Sequence, residues 1–284
     1  MSRRWRRLLY WSLSLLFVYL AFLFLLLAWE NDFVYMATPA SKAWRPPGDL
    51  AAEDVALISA EGTHLHGWWL PASGSDRALL FFHGQQGNLS FRGNLLHRLQ
   101  RLGMPILAVD YPGFGRSEGT PSEHGCYAAA DAAYDWLVRE KQVAPEKIVV
   151  LGKSLGGGIA TDLASRRPCA ALVLVMTFTS TPDVAEHLLP FVPARLLMRN
   201  RFDNLAKIGR CTCPIYLAHG TDDWKIPPAH SERLFEAVTG ARRYFPMPGV
   251  GHGWPCLTDE CLTDLAAFLR HPTRTDDLHV GSSR

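Results

Sequence analysis

The stretch VVLGKSLGGG, residues 149–158, constrains this chain more than any other. A run of β-branched apolar residues stops at Gly152-Lys153-Ser154-Leu155-Gly156, and the residues that follow, GGIATDLASRRP, read as a helix with small residues in its first turn. A strand that turns straight into a helix around a serine between glycines holds that serine in a strained backbone, with its hydroxyl raised at the rim of a sheet. The new helix adds free N–H groups and the positive end of its dipole, both suited to an oxyanion. Ser154 thus has the setting of a nucleophile.

The rest of the chain agrees with such a junction. Short apolar runs bounded by turn residues recur at RALLFFHG, PILAVDYPGFG, KIVVLGKS, AALVLVMTF, PIYLAHGTDD and RRYFPMPGVGH, with helical patterns such as NLLHRLQRL, YAAADAAYDWLVREK and SERLFEAV between most of them. Continuous apolar strands alternating with helices predict an α/β fold whose mostly parallel central sheet is covered by helices on both faces. Ahead of them, VALISAEGTHLHGWWLPA reads as a hairpin turning at Glu61-Gly62-Thr63. In such sheets ligands bind beyond the carboxyl ends of the strands. The polar residues there are His83-Gly84-Gln85, Asp110-Tyr111, Ser154, Asp222-Asp223 and His252.

The front of the chain is different. LLYWSLSLLFVYLAFLFLLLAW, residues 8–29, carries no charge, and at about 1.5 Å per residue it can cross a hydrocarbon core of roughly 30 Å. A cleaved signal has a shorter apolar core ending in a small-x-small site, and AWENDFVY offers none, so an uncleaved anchor is expected. Arg3, Arg4, Arg6 and Arg7 precede the span, whereas Glu30 and Asp32 follow it. By the positive-inside rule the amino terminus stays in the cytosol and the catalytic domain faces the other side of the membrane, the periplasm in a bacterium. The chain divides into a basic stub and transmembrane anchor (1–36), a Pro-rich linker (37–54), the main domain (55–270) with a short lid around 178–210, and a flexible tail (271–284).

Lys and Arg number 29 against 27 for Asp and Glu, which leaves no basic field to recruit nucleic acid. The expected partners are the lipid bilayer and a small-molecule or lipid acyl substrate. The six cysteines have no zinc-site spacing and read as buried thiols or as one or two disulfides, with Cys256–Cys261 the pair best placed to tie down a loop.

A serine hydroxyl is a weak nucleophile, so it needs a histidine base and a carboxylate to orient that base, downstream in the order Ser, acid, His. YLAHGTDDWKIP places two carboxylates, Asp222 and Asp223, just past a strand, and MPGVGHGWP places His252 after the next one. His83 is expected to shape the neighbouring loop, His219 to pack, and His187 and His230 to be bystanders. FFHGQQGNLS supplies a Gly-rich loop whose Gln85 N–H can pair with that of Leu155 as an oxyanion hole. Asn88-Leu89-Ser90 is formally a glycosylation sequon, but a glycan there would crowd the site. Lys153 is expected to be solvated.

These motifs together resemble the α/β-hydrolase superfamily, and within it the Bem46-like group of serine hydrolases. HGQQGNLS looks like that group's H-G-N-x-G-N loop, DYPGFGRSEGTPSE resembles its D-Y-x-G-Y-G segment, GKSLGG matches its elbow, and HGTDDWKIP is similar to its acid motif; the resemblance runs from about Val55 to Leu269. It implies an α/β-hydrolase fold and puts Asp223, not Asp222, at the acid position. Gln85-Gln86 departs from the group's usual Asn-Ala and is expected to narrow the acyl pocket, and Gly253-Trp254 stands where Asn is frequent after the histidine. The expectation is a membrane-anchored serine hydrolase with Ser154, Asp223 and His252 as triad and Gln85 and Leu155 as oxyanion donors, cleaving an ester or thioester of a lipid or acylated molecule. No metal or organic cofactor is implied. Amide cleavage, or a tethered scaffold without turnover, are the alternatives.

Overall fold

The computed structural model describes residues 2–253 and 256–272. Helix α1 (Arg3–Ala28) is long and apolar enough to cross a membrane, and none of its residues is buried. A core helix is mostly buried, which α1 is not. Helix α2 (Glu30–Tyr35) follows after Trp29.

The predicted hairpin is formed by β1 (Glu53–Ile58) and β2 (His64–Leu70), with Leu57 opposite Leu65. Strands and helices then alternate as β3 (Ala78–Phe82), α3 (Gly93–Gln100), β4 (Ile106–Val109), α4 (Glu123–Arg139), β5 (Ile148–Lys153), α5 (Leu155–Ala164) and β6 (Ala171–Val175). Three short helices, α6 (Thr181–Leu188), α7 (Ala194–Leu197) and α8 (Leu205–Ile208), occupy the expected lid segment. The chain returns through β7 (Ile215–Gly220), α9 (Ala229–Ala237), β8 (Arg242–Met247) and α10 (Asp259–Arg270).

The eight strands lie in the order β1-β2-β4-β3-β5-β6-β7-β8; β2 runs antiparallel to both neighbours and the pairs from β4 onward are parallel. Strand alternation explains the two cores. Leu80 and Phe82 of β3 pack with Ala130, Leu155 and Ile159 on one face, while Leu79 and Phe81 pack with Leu96, Leu99 and Leu265 on the other. Each fully buried side chain of this size contributes about 1.5–3 kcal/mol. The covering helices start where the sequence offers a cap: Ser122 accepts the Gly125 N–H before α4, Ser180 that of Asp183 before α6, and Thr258 that of Cys261 before α10.

Register sets the site. Phe82 pairs with Gly152 across β3 and β5, so the loop after His83 emerges beside Ser154. Gly220 pairs with Met247 across β7 and β8, which brings the Asp223 loop next to the His252 loop.

Two features add to the reading of the sequence. The linker 37–54 is held against the domain: the Thr38 N–H donates to Gly87 O at 3.0 Å, the Ala40 N–H to Gly115 O at 2.6 Å, and Trp44 packs edge-on to Trp68 at 5.6 Å. Pro-rich composition concealed this, because the bonds are made by backbone that the composition does not describe. All six cysteines are free thiols, in line with the first of the two readings and not with a Cys256–Cys261 bridge, and Cys261 sits within α10 beside the Tyr216 hydroxyl at 3.7 Å. Cys169 and Cys213 instead lie with their sulfurs 2.8 Å apart on the segments leading into β6 and β7. Most of the expected tail, residues 273–284, lies outside the described residues, as does Trp254.

Candidate active site

Ser154 has φ 53° and ψ −119°, a strained conformation at the N-cap of α5. It is held by its N–H to Val175 O at 2.9 Å and by the Thr177 hydroxyl donating to its carbonyl at 3.0 Å. The glycines around it are steric necessities. A Cβ on Gly152 would lie 2.2 Å from Gly156 O, and one on Gly156 would lie 2.1 Å from Phe82 O. The backbones of β5, α5 and β3 therefore touch directly, and the turn leaves the serine at the sheet rim.

The Ser154 hydroxyl lies 3.0 Å from His252 Nε2, and His252 Nδ1 lies 2.7 Å from Asp223 Oδ2. Asp223 is buried, whereas Asp222 is exposed and its side chain accepts from the adjacent Thr221 hydroxyl at 2.8 Å. Its other oxygen, Asp223 Oδ1, accepts the N–H groups of Lys225 at 3.1 Å and Ile226 at 2.9 Å. Burial pushes the Asp223 carboxyl up, but hydrogen bonds from His219, His252 and the Ile226 N–H outweigh it and hold the group well below the usual carboxylate range. Burial lowers the His252 pKa against the pull of Asp223, with the Lys153 and Lys225 charges adding to the lowering. The imidazole is thereby kept neutral and able to accept a proton at neutral pH.

His219 does more than pack. Its Nε2 lies 2.8 Å from Ile226 O and 3.3 Å from Asp223 Oδ2, while Nδ1 meets the Ser231 hydroxyl at 2.6 Å. It fixes the acid loop. His83 is buried with Nε2 3.1 Å from Asp110 Oδ1, and its ring stacks on Tyr111 at 4.5 Å, so it pins the start of the Gln85 loop as expected. His230 receives the Thr179 N–H, with its pKa pushed down to about 4 by burial, and His187 contacts Trp224 O at 3.1 Å; neither is near the serine–histidine pair.

The Gln85 loop passes so close to Ser154 that a Cβ on Gly84 would lie 3.2 Å from Ser154 Cβ. Neither Gln85 nor Leu155 donates a backbone–backbone hydrogen bond from its N–H among the described residues. The loop is strapped from an unexpected side: the Gln86 N–H donates to Tyr35 O at 3.0 Å and the Gly87 N–H to Met36 O at 3.2 Å, both at the end of α2. The Gln85 side chain, oriented to satisfy both of its ends, donates to Val34 O at 2.9 Å and accepts from Lys225 Nζ at 2.6 Å. Asn88 is fully buried, its amide donating to Thr38 O and Ala43 O at 2.8 and 2.9 Å, which leaves no room for a glycan.

Lys153 departs from expectation. It is half-buried instead of solvated, and burial lowers its pKa.

Ser154, Leu155 and Gln85 form one end of a cavity of about 380 Å³. Its walls come from α1 and α2 (Leu23, Leu27, Val34) and from the lid (Val184, Leu188, Met198). Sequence reasoning missed the contribution of α1, because a uniformly apolar helix carries no mark of the face it turns to a neighbour. Among the described residues, no group of three or more His, Cys, Asp or Glu side chains is arranged to hold a metal ion.

A family model described as the alpha/beta hydrolase fold matches residues 77–199, from the strand before the Gln85 loop to the lid. The chain is 31% identical over 205 residues to the alpha/beta hydrolase domain-containing protein WAV2 of Arabidopsis thaliana, covering 66% of this chain and 67% of that one. The chain belongs to the α/β-hydrolase family. A protein of Mycobacterium tuberculosis, Rv2307c, is 38% identical over 211 residues, which cover 74% of this chain and 75% of its relative. Among solved structures, the Pyrococcus furiosus esterase Pf2001 superposes with a TM-score of 0.65 over 80% of this chain and 95% of its own, at 19% identity. An acetyl xylan esterase from Paenibacillus sp. R4 does so with the same TM-score over 80% of this chain and 85% of its own, at 20% identity. At such identities the likeness is one of fold. In this α/β-hydrolase the elbow, acid loop and histidine loop all lie at one rim of the sheet.

Proposed function

We propose that this α/β-hydrolase is a membrane-anchored serine hydrolase of the Bem46-like group that cleaves carboxylic esters or thioesters of a lipid or acylated substrate. The observation that carries the reading is the line from Ser154 Oγ through His252 to Asp223, at 3.0 and 2.7 Å. Ser154 Oγ attacks the acyl carbon while its proton passes to His252 Nε2, and the negative charge on the carbonyl oxygen is met by the N–H groups of Gln85 and Leu155. The tetrahedral adduct expels the alkoxide or thiolate, which takes the proton from Nε2, leaving an acyl-serine. Water gives a proton to the same nitrogen as it attacks that ester; the adduct expels Ser154 Oγ, which takes the proton back from Nε2, and the carboxylic acid departs and ionises to solvent. Asp223 holds the imidazole in the productive tautomer and balances its transient charge. Every proton moves between groups of this chain, substrate and water.

The esterases of similar fold and the hydrolase-domain relative support ester chemistry, and α1 supports the anchor. The arginines before α1 support an orientation with the stub in the cytosol and the domain on the opposite side.

The test is labelling of the full-length protein with a fluorophosphonate, together with turnover of p-nitrophenyl esters. Wild type should label and turn over, and Ser154→Ala should do neither. A folded wild type that neither labels nor hydrolyses any ester refutes the reading. Protease added to intact spheroplasts should digest the domain; protection there refutes the orientation.

A further inference from the structure

The anchor does more than tether. Residues Ala21, Phe22, Leu23, Leu26 and Leu27 are partly buried in α1's last turns, the larger of them spaced three and four apart, and the stripe ends on buried Glu30. That face meets the lid. Tyr19 donates its hydroxyl to Phe191 O at 2.7 Å, the Phe22 and Phe191 rings lie 6.0 Å apart, and Arg199 Nη2 donates to Leu27 O at 3.1 Å. The cavity that begins at Ser154 runs into the gap between these two surfaces, with Leu23, Leu26 and Leu27 as one wall and Val184, Leu188 and Leu197 as the other.

The depth of this contact matters. Tyr19 lies nine residues before the end of α1, about 13 Å along the axis at about 1.5 Å per residue. An α1 that spans a bilayer therefore carries the lid tip at Phe191 alongside hydrocarbon and not above the headgroups. The surface of the lid fits that position. Of the large apolar side chains exposed outside α1 among the described residues, all but Ile58 belong to three neighbouring segments: Trp29, Phe33 and Met36 at the end of the anchor, Leu188, Phe191 and Leu196 on the lid, and Trp224 on the acid loop. Such a patch, continuous with a membrane helix, is covered by lipid.

From this geometry we infer that the slot between α1 and the lid is the acyl-chain site, that it opens within the lipid leaflet, and that the substrate is a membrane-resident ester or thioester with a long acyl chain. The inference rests on the serine-hydrolase reading above and narrows its substrate. Taking a methylene as about the size of a water molecule, roughly 30 Å³, the slot holds about a dozen chain carbons. A chain entering from the leaflet never crosses water, and its carbonyl end meets Ser154 where Gln85 and Leu155 close the slot. The wall formed by α1 makes the anchor part of the specificity of the site.

Full-length protein in phosphatidylcholine nanodiscs tests this with p-nitrophenyl butyrate and laurate. Wild type should prefer laurate by at least about tenfold in kcat/KM, and Leu23→Trp, which fills the slot from the α1 side, should lower that ratio about tenfold. Leu13→Trp, on α1 away from the lid, should leave the ratio unaltered. A wild type with no preference for the longer chain, or a Leu23→Trp enzyme with the wild-type ratio, overturns the slot. A second measurement uses wild type alone: a fluorophosphonate with a dodecyl chain ending in a diazirine is attached to Ser154 and photolysed. Adducts on peptides from α1 or α2 support the inference, and adducts confined to other segments overturn it. An enzyme that labels and hydrolyses butyrate without chain preference sinks the slot only, whereas one that neither labels nor hydrolyses sinks the hydrolase reading with it.

Discussion

Glu30 and Asn200 tie the end of the apolar helix to the lid: Glu30 Oε1 accepts the Asn200 backbone N–H at 2.7 Å and its side-chain amide at 2.9 Å. The same carboxylate accepts the Arg199 N–H at 3.0 Å and Arg199 Nε at 3.2 Å, and it is buried. Next to it, the Tyr35 hydroxyl donates to Asn200 Oδ1 at 2.5 Å. Tyr35 and Met36 also hold the Gln85 loop, so one short helix links α1, the lid and the Gln85 loop.

Removing this carboxylate strands several buried donors at once. Glu30→Ala should cost about 3 kcal/mol, since each unsatisfied buried group costs about 1–3 kcal/mol. In thermal unfolding of the detergent-solubilised protein this corresponds to a fall in Tm of about 6–12 °C. Asp32→Ala, on the exposed side of the same helix, should change stability by less than about 0.5 kcal/mol.

The two adjacent carboxylates of the acid loop separate cleanly. Asp223→Asn should keep the fold and lower kcat by about 10⁴-fold, as loss of the orienting charge does in such triads. Asp222→Asn should leave kcat within about twofold, because its side chain is exposed and bonds to the adjacent Thr221 hydroxyl. Steady-state rates with p-nitrophenyl butyrate decide both.

Burial and two nearby ammonium groups lower the pKa of His252. The acid limb of kcat/KM reports protonation of the free base, so it should lie below the ordinary histidine value of about 6.5. Lys153→Met removes a positive charge that disfavours imidazolium. The His252 pKa then rises, and the limb moves to higher pH. A pH-stat titration of ester hydrolysis should show that direction of shift.

Backbone contact at the elbow makes a steric prediction. Gly156→Ala forces a Cβ to 2.1 Å from Phe82 O, where neither backbone can yield, and should destabilise by more than about 4 kcal/mol. Gly240→Ala meets nothing within 4 Å and should be neutral or slightly stabilising. Comparison of soluble expression and Tm for the two variants measures the difference.

The chain's strands, hairpin and main helices were legible in the sequence because each is a local matter of periodicity and punctuation. The elbow at Ser154 was legible for a related reason: glycines flanking a serine at a strand end report a backbone contact that admits no side chain. His252 was picked out by chain order and strand-end position, but Asp223 could be separated from Asp222 only through resemblance, since neighbouring carboxylates on a loop have the same composition and differ only in burial. The reach of His219 to Asp223 and the burial of Lys153 carried no local signal.

Sequence by itself determined the element order and the apolar span, because these follow from the identity and spacing of neighbours. Tertiary structure alone decided that residues 37–54 are strapped to the domain, that Cys169 faces Cys213, and that the last turns of α1 form a wall of the cavity at Ser154. Those contacts join segments distant along the chain through backbone hydrogen bonds and apolar surfaces, which look alike in sequence wherever they end up.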